Sequence, residues 1–150
     1  MTEKINELIT VAEPRSAISE AYRTLRTNLD FASLDRAVKT LVITSAGVGE
    51  GKSTTLANLA VVSAQAGRKV ILVDADLRRP TMHQILGASN ELGLTSMVVD
   101  EARLTSPPLQ ETGIPGLSLL SSGPLPPNPA ELLGPRRMAE VIATPTAEAA

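Results

Sequence analysis

The sequence has 150 residues, 43% of them hydrophobic, and 14 Lys and Arg against 16 Asp and Glu, for a formal net charge of −2. That is the length and apolar content of one domain with one core, and the charge balance lacks the basic field that holds a nucleic acid backbone through counterion release, so no nucleic acid partner is expected. With no cysteine and one histidine, His83, the chain has no disulfide, thiolate metal site, cysteine nucleophile, His-based triad or multi-His metal site.

The start, "MTEKINELIT", lacks the basic-then-apolar order of a signal peptide, and no apolar run reaches the ~20 residues of a membrane span; a cytoplasmic protein is expected. Residues 13–30, "EPRSAISEAYRTLRTNLD", predict a helix, because Ile18, Tyr22, Leu25 and Leu29 recur in one stripe. Glu20, Arg23 and Arg26 gather on a different face. Residues 37–45, "AVKTLVITS", form a short β-branched run that suits a strand buried on both faces. "GEGKSTTLANLAVVSAQAG" predicts a Gly-rich turn and a helix stopped near Gly67, and "KVILVDAD" a second buried strand. Residues 81–113 hold helical pieces between Gly and Pro, without clear boundaries, and His83 is expected on a helix surface. "GLSLLSSG" predicts a third strand. After the extended "PLPPNP", Asn128 and Pro129 start a helix that Pro135 kinks or divides. With only Tyr22 and Phe31 as aromatics, the core must be aliphatic. Alternating strands and helices argue an α/β fold with a mostly parallel sheet, helices on both faces and an N-terminal helix in front. No internal repeat is present.

Two segments carry chemistry. "AGVGEGKS", residues 46–53, fits the P-loop pattern, with Ala46 in place of its first glycine. The glycines let the N–H groups of Gly47, Val48, Gly49, Glu50, Gly51, Lys52, Ser53 and Thr54 turn toward one anion, aided by the positive end of the following helix. Lys52 can reach the outer phosphates and the Ser53 hydroxyl can ligate Mg²⁺. In "VILVDADLRRP", Asp74 and Asp76 leave the carboxyl end of a buried strand, where α/β sheets bind ligands. Carboxylates there can hold Mg²⁺ or accept a proton from a hydroxyl. The bland reading has Asp74 capping a turn and Arg78 and Arg79 merely solvated.

A P-loop followed by three aliphatics and D-x-D-x-R resembles the Walker A and A′ motifs of the bacterial tyrosine autokinases of capsular and extracellular polysaccharide production. "SEAYRTLRTNL" is similar to that family's E-x-x-R-x-x-R segment, and "SSGPLPPNPAELL" to the stretch after its third strand; the similarity spans about residues 8–142. The resemblance implies a P-loop NTPase fold and transfer of the ATP γ-phosphoryl to tyrosine. Lys52, Asp74 and Asp76 would be the catalytic residues, residues 47–54 would hold ATP, Ser53 and Asp76 would hold Mg²⁺, and Asp74 would be the candidate base. It also implies ring-like self-association through Glu20, Arg23 and Arg26, protein tyrosine substrates, and a membrane-embedded polysaccharide co-polymerase as activator, which would hold a cytoplasmic protein at the inner face of the plasma membrane.

Such kinases also carry a later strand ending in a Walker B aspartate, in a run like aliphatic-aliphatic-D-x-P-P, and a tyrosine cluster. Neither occurs here after Ile142. The expectation is a single kinase domain over 1–150, with an oligomerisation helix at 13–30 and a nucleotide-binding core at 38–150, cut short near "TPTAEAA" and marginally stable. Two other readings compete: a ParA- or MinD-like positioning ATPase, whose P-loop usually carries an earlier lysine where Ser45 and Ala46 stand, and a catalytically defective assembly remnant.

Overall fold

A computed structural model describes residues 4–132 and 134–149. After a single 3-10 turn at Ile5–Glu7 come the short helix α1 (Ile9–Ala12) and the longer α2 (Ala17–Phe31). Ser16 starts α2 by accepting the Ser19 N–H on its hydroxyl at 3.1 Å, which satisfies one of the amides a helix start leaves unpaired. Helix α3 (Lys52–Gln65) follows the Gly-rich turn and ends where expected: Arg68 N–H reaches back to the Ser63 carbonyl through Gly67.

Three strands build the sheet, β1 (Val70–Val73), β2 (Gln110–Glu111) and β3 (Leu117–Leu120), in the order β1-β3-β2. β1 runs parallel to β3, with Val70 opposite Leu117 and Val73 opposite Leu120, while the two-residue β2 is antiparallel. The sheet's side chains alternate between two cores, as the pleat requires. Leu72, Leu117 and Leu119 face α3, α1 and α4 (Met82–Ile85). Leu120 and Val73 face the other way, toward α5 (Leu94–Val99) and Val141. Helix α6 (Ala102–Thr105) and the pair α7 (Pro129–Leu132) and α8 (Pro135–Ala149) complete that second layer. Helices thus cover both faces, and Pro135 divides the last helical segment instead of kinking it.

Two expectations need correction. Residues 37–45 form no strand: they run as unpaired chain, with Val42 81% exposed. A strand exists through its ladder, and no described residue supplies one. Between this segment and β1 lies a cleft of about 660 Å³, walled by Leu41 and Ile43 on one side and Ile71 and Val73 on the other, with Ile142 and Pro145 also lining it. The cleft thus separates the apolar run 37–45 from the free edge of β1, and Val42 is left facing solvent. The α2 stripe is covered only in part: Tyr22 and Leu29 are half-buried, Ile18 is 57% exposed, and the fully buried residue is Ser19. The Ser19 hydroxyl donates to the carbonyls of Ile9 and Glu13, at 3.1 and 2.7 Å, so the turn between α1 and α2 decides which side faces inward.

The N-terminal segment is fastened to α3 by a buried polar pair. Asn58 Oδ1 accepts the Thr10 N–H at 3.2 Å and its hydroxyl at 2.7 Å, and Asn58 Nδ2 donates to the Thr54 carbonyl at 2.9 Å. Both residues are essentially inaccessible to water. Replacing Asn58 by Ala would leave the Thr10 donors unpaired in a dry site, at a cost of about 1–3 kcal/mol, measured as the shift in urea unfolding free energy.

Candidate nucleotide site

The first turn of α3 is built to receive an anion. Gly51, its N-cap, sits at φ 86° and Gly49 at φ 72°, the left-handed region that side chains resist, and no side chain caps the helix start. The N–H groups of Lys52, Ser53 and Thr54 make no hydrogen bond among the described residues, and the helix dipole adds positive potential where they point. Ser45 Oγ donates to the Gly47 carbonyl at 2.8 Å and turns the chain into the loop.

Lys52 and Ser53 line the same cleft as Asp74 and Asp76, so the structure brings together the two motifs that the sequence placed about 20 residues apart. The Asp74 N–H continues the ladder past β1, donating to the Leu120 carbonyl at 3.0 Å. Its carboxylate, 5% exposed, accepts the Asp76 N–H on Oδ1 and the Met82 N–H on Oδ2, each at 3.1 Å. Burial is the largest influence on this group and raises its pKa above the usual carboxylate value; the Met82 and Asp76 N–H groups lower it, and the Asp76 charge raises it again. Asp76, half-buried, accepts the Arg78 and Arg79 N–H groups on Oδ1, at 3.3 and 3.0 Å. Turn capping, the bland expectation for Asp74, is therefore present, together with access to the cleft.

Among the described residues no group of three or more His, Cys, Asp or Glu could hold a metal ion. Ser53 and Asp76 line the same cleft, and Mg²⁺ is a hard cation that takes one or two protein oxygens and fills its other positions with phosphate and water. His83 is not at a surface: it is half-buried, with Nδ1 buried and unpaired among the described residues. Arg23 pairs with Glu20 at 3.0 Å and also donates to the Pro14 carbonyl. Arg26 Nη1 donates to the Val62 carbonyl of α3 at 2.7 Å. The three residues thus have partners within the chain. The Thr10–Asn58 pair had a signal that sequence reading missed: one amide in the apolar run "LANLAVV".

Residues 41–145 match the family model described as the CobQ/CobB/MinD/ParA nucleotide binding domain, and the chain belongs to that family. The chain is 52% identical to the tyrosine-protein kinase YwqD of Bacillus subtilis over 134 residues, 89% of this chain and 56% of YwqD. A crystal structure of the chimerical protein CapA2B2 superposes with a TM-score of 0.86 at 44% identity, covering 94% of this chain and 62% of that one. The kinase domain of Escherichia coli tyrosine kinase ETK gives 0.83 at 35%, covering 95% and 55%. The chain thus spans a little over half the length of these relatives. Among the described residues no helix is long and apolar enough to cross a membrane.

The raised Asp74 pKa has a definite sign for stability. Below the unfolded value of 3.8 both states hold the proton and burial costs no charge; as pH rises, the unfolded state ionises first and is favoured. Asp74 therefore contributes most at acid pH and loses that contribution as pH climbs through its folded value. Urea melts of wild type and Asp74→Asn from pH 3 to 7 should show the wild-type advantage shrinking with rising pH; an advantage that grows instead would mean the folded pKa is lowered.

Proposed function

We propose that the chain is the nucleotide-binding part of an ATP-dependent protein-tyrosine kinase acting in capsular or extracellular polysaccharide production. The observation that carries this reading is the shared cleft of Lys52 and Ser53 with Asp74 and Asp76. A ligand there meets α3's unpaired amides at one end and a buried carboxylate with elevated basicity at the other. The names of the similar proteins support tyrosine as acceptor.

In this reading the amides of residues 47–54 and Lys52 bind the ATP phosphates and offset the charge that spreads over the γ-phosphoryl during transfer. Asp74 takes the proton of the tyrosine hydroxyl, and its burial moves it toward a useful base strength at neutral pH. Ser53 and Asp76 would hold Mg²⁺, which would supply positive charge to offset that of the phosphates. Glu20, Arg23 and Arg26 would face a second copy in a ring, and a membrane-embedded polysaccharide co-polymerase would be the activator, at the cytoplasmic side of the membrane. The family's MinD and ParA members favour a second reading, a nucleotide-switched ATPase without tyrosine transfer.

Calorimetric titration with Mg·ATP tests both. Lys52→Ala should abolish measurable binding and leave the melting temperature nearly unchanged; an unaltered affinity would remove the site. Where wild type binds, γ-labelled ATP separates the readings, since label on protein tyrosine supports the kinase and release of free phosphate alone supports the switch. Substituting Glu20, Arg23 and Arg26 by Ala should abolish oligomers in sedimentation without changing Mg·ATP affinity, with a stability loss of about 1 kcal/mol from the lost Arg26 bond. Oligomers that persist would remove that face as an interface.

A further inference from the structure

The loop from Asp74 to Met82 holds more order than phosphate binding requires. Asp74 and Asp76 each fold a carboxylate oxygen onto backbone N–H groups two or three residues ahead, and Asp74 also reaches Met82 N–H at 3.1 Å across the loop's whole length. Two apolar pins secure it from opposite sides: Leu77, 5% exposed, enters one core and Met82, 2% exposed, enters the other. Pro80 fixes a further backbone angle. The backbone that carries Arg78 and Arg79 is therefore held at both ends and in the middle.

Among the described residues neither guanidinium group makes a hydrogen bond or ion pair, and both residues are exposed; Arg15, Arg36 and Arg136 are likewise unpaired, but only Arg78 and Arg79 stand side by side on a pinned loop. The carboxylates of the same loop point to its backbone instead: Asp74 accepts an N–H on each oxygen, and Asp76 accepts those of Arg78 and Arg79 on Oδ1. Adjacent cations with no internal anion, on a pinned loop that leaves the same strand end as Asp74, are suited to an anion that arrives from outside. Neither arginine lines the cleft that Lys52 and Asp74 share, so an anion they hold lies outside it.

We infer that Arg78 and Arg79 select the acceptor polypeptide, favouring segments with carboxylates beside the tyrosine. This rests on the kinase reading above. Each arginine would meet a flanking Asp or Glu while the tyrosine hydroxyl enters toward Asp74; exposed pairs of this kind tune specificity and encounter more than they tune chemistry.

The test reads binding without turnover. Two fluorescent peptides are used, one tyrosine flanked by glutamates and its glutamine counterpart, with the 150-residue chain and its R78Q/R79Q variant. In anisotropy titrations wild type should bind the glutamate peptide roughly three- to thirtyfold more tightly, a preference that fades as salt shortens the screening length. R78Q/R79Q should bind both peptides equally and keep wild-type affinity for Mg·ATP and wild-type melting. A wild type that does not distinguish the peptides, or a preference that survives in the variant, overturns the inference. So does a variant that loses Mg·ATP affinity, because the arginines would then serve the nucleotide. Failure of the kinase reading shows separately, as wild type that does not bind Mg·ATP in the same series.

Discussion

The arrangement depends on the parallel pairing of β1 with β3. Two parallel neighbours cannot be joined by a tight turn, so a long connection is needed, and here it runs through α4 on one face, α5 and α6 on the other, and the edge strand β2. The pairing also aims both carboxyl ends the same way. β1 therefore delivers Asp74 and Asp76 to the cleft that the amino end of α3 also lines. The helix end supplies the positive side from backbone direction, and the two carboxylates supply the negative one.

Where side-chain pattern and hydrogen-bond demand agree, the sequence was readable. β1 and β3 are short apolar runs bounded by turn residues, and each found a neighbour; α3 begins at the glycines and ends at Gly67. Residues 37–45 have equally good strand composition, and they failed for want of a partner. Propensity belongs to the segment, but the ladder belongs to the pair, and composition says nothing about whether the other member is there. The two-residue β2 was illegible for the opposite reason: Gln110 and Glu111 have no strand composition and are paired only because β3 lies beside them.

The helix α2 teaches a related lesson about periodicity. Its apolar residues do recur at the helical spacing, yet a stripe predicts only that one face is apolar, and not that this chain covers it. Ser19 is buried instead because its hydroxyl closes the preceding turn on Ile9 and Glu13, and Arg26 reaches inward because the carboxyl end of α3 offers the Val62 carbonyl. Polar contacts with two specific partners outweigh a diffuse apolar preference and leave Ile18 at the surface. The same rule explains Thr10 and Asn58, whose pairing fixes the height of the N-terminal segment against the first turn of α3, where Thr54 belongs to the phosphate loop.

Asp74 shows why capping and chemistry were not alternatives. A carboxylate oxygen has more than one lone-pair direction, so accepting one N–H on each oxygen leaves room for another donor. The two N–H bonds fix the group's orientation, and their stabilisation of the charge is smaller than the penalty that burial imposes. Fewer such bonds would raise the pKa further and leave the carboxyl free to turn; full exposure would remove the desolvation that strengthens it as a base. The combination found, with desolvation dominant and orientation fixed from the backbone, keeps the group basic without letting it wander. That property comes from the Asp74–Met82 loop as a whole, so the backbone that orients the Asp74 carboxylate also fixes the positions from which Arg78 and Arg79 project.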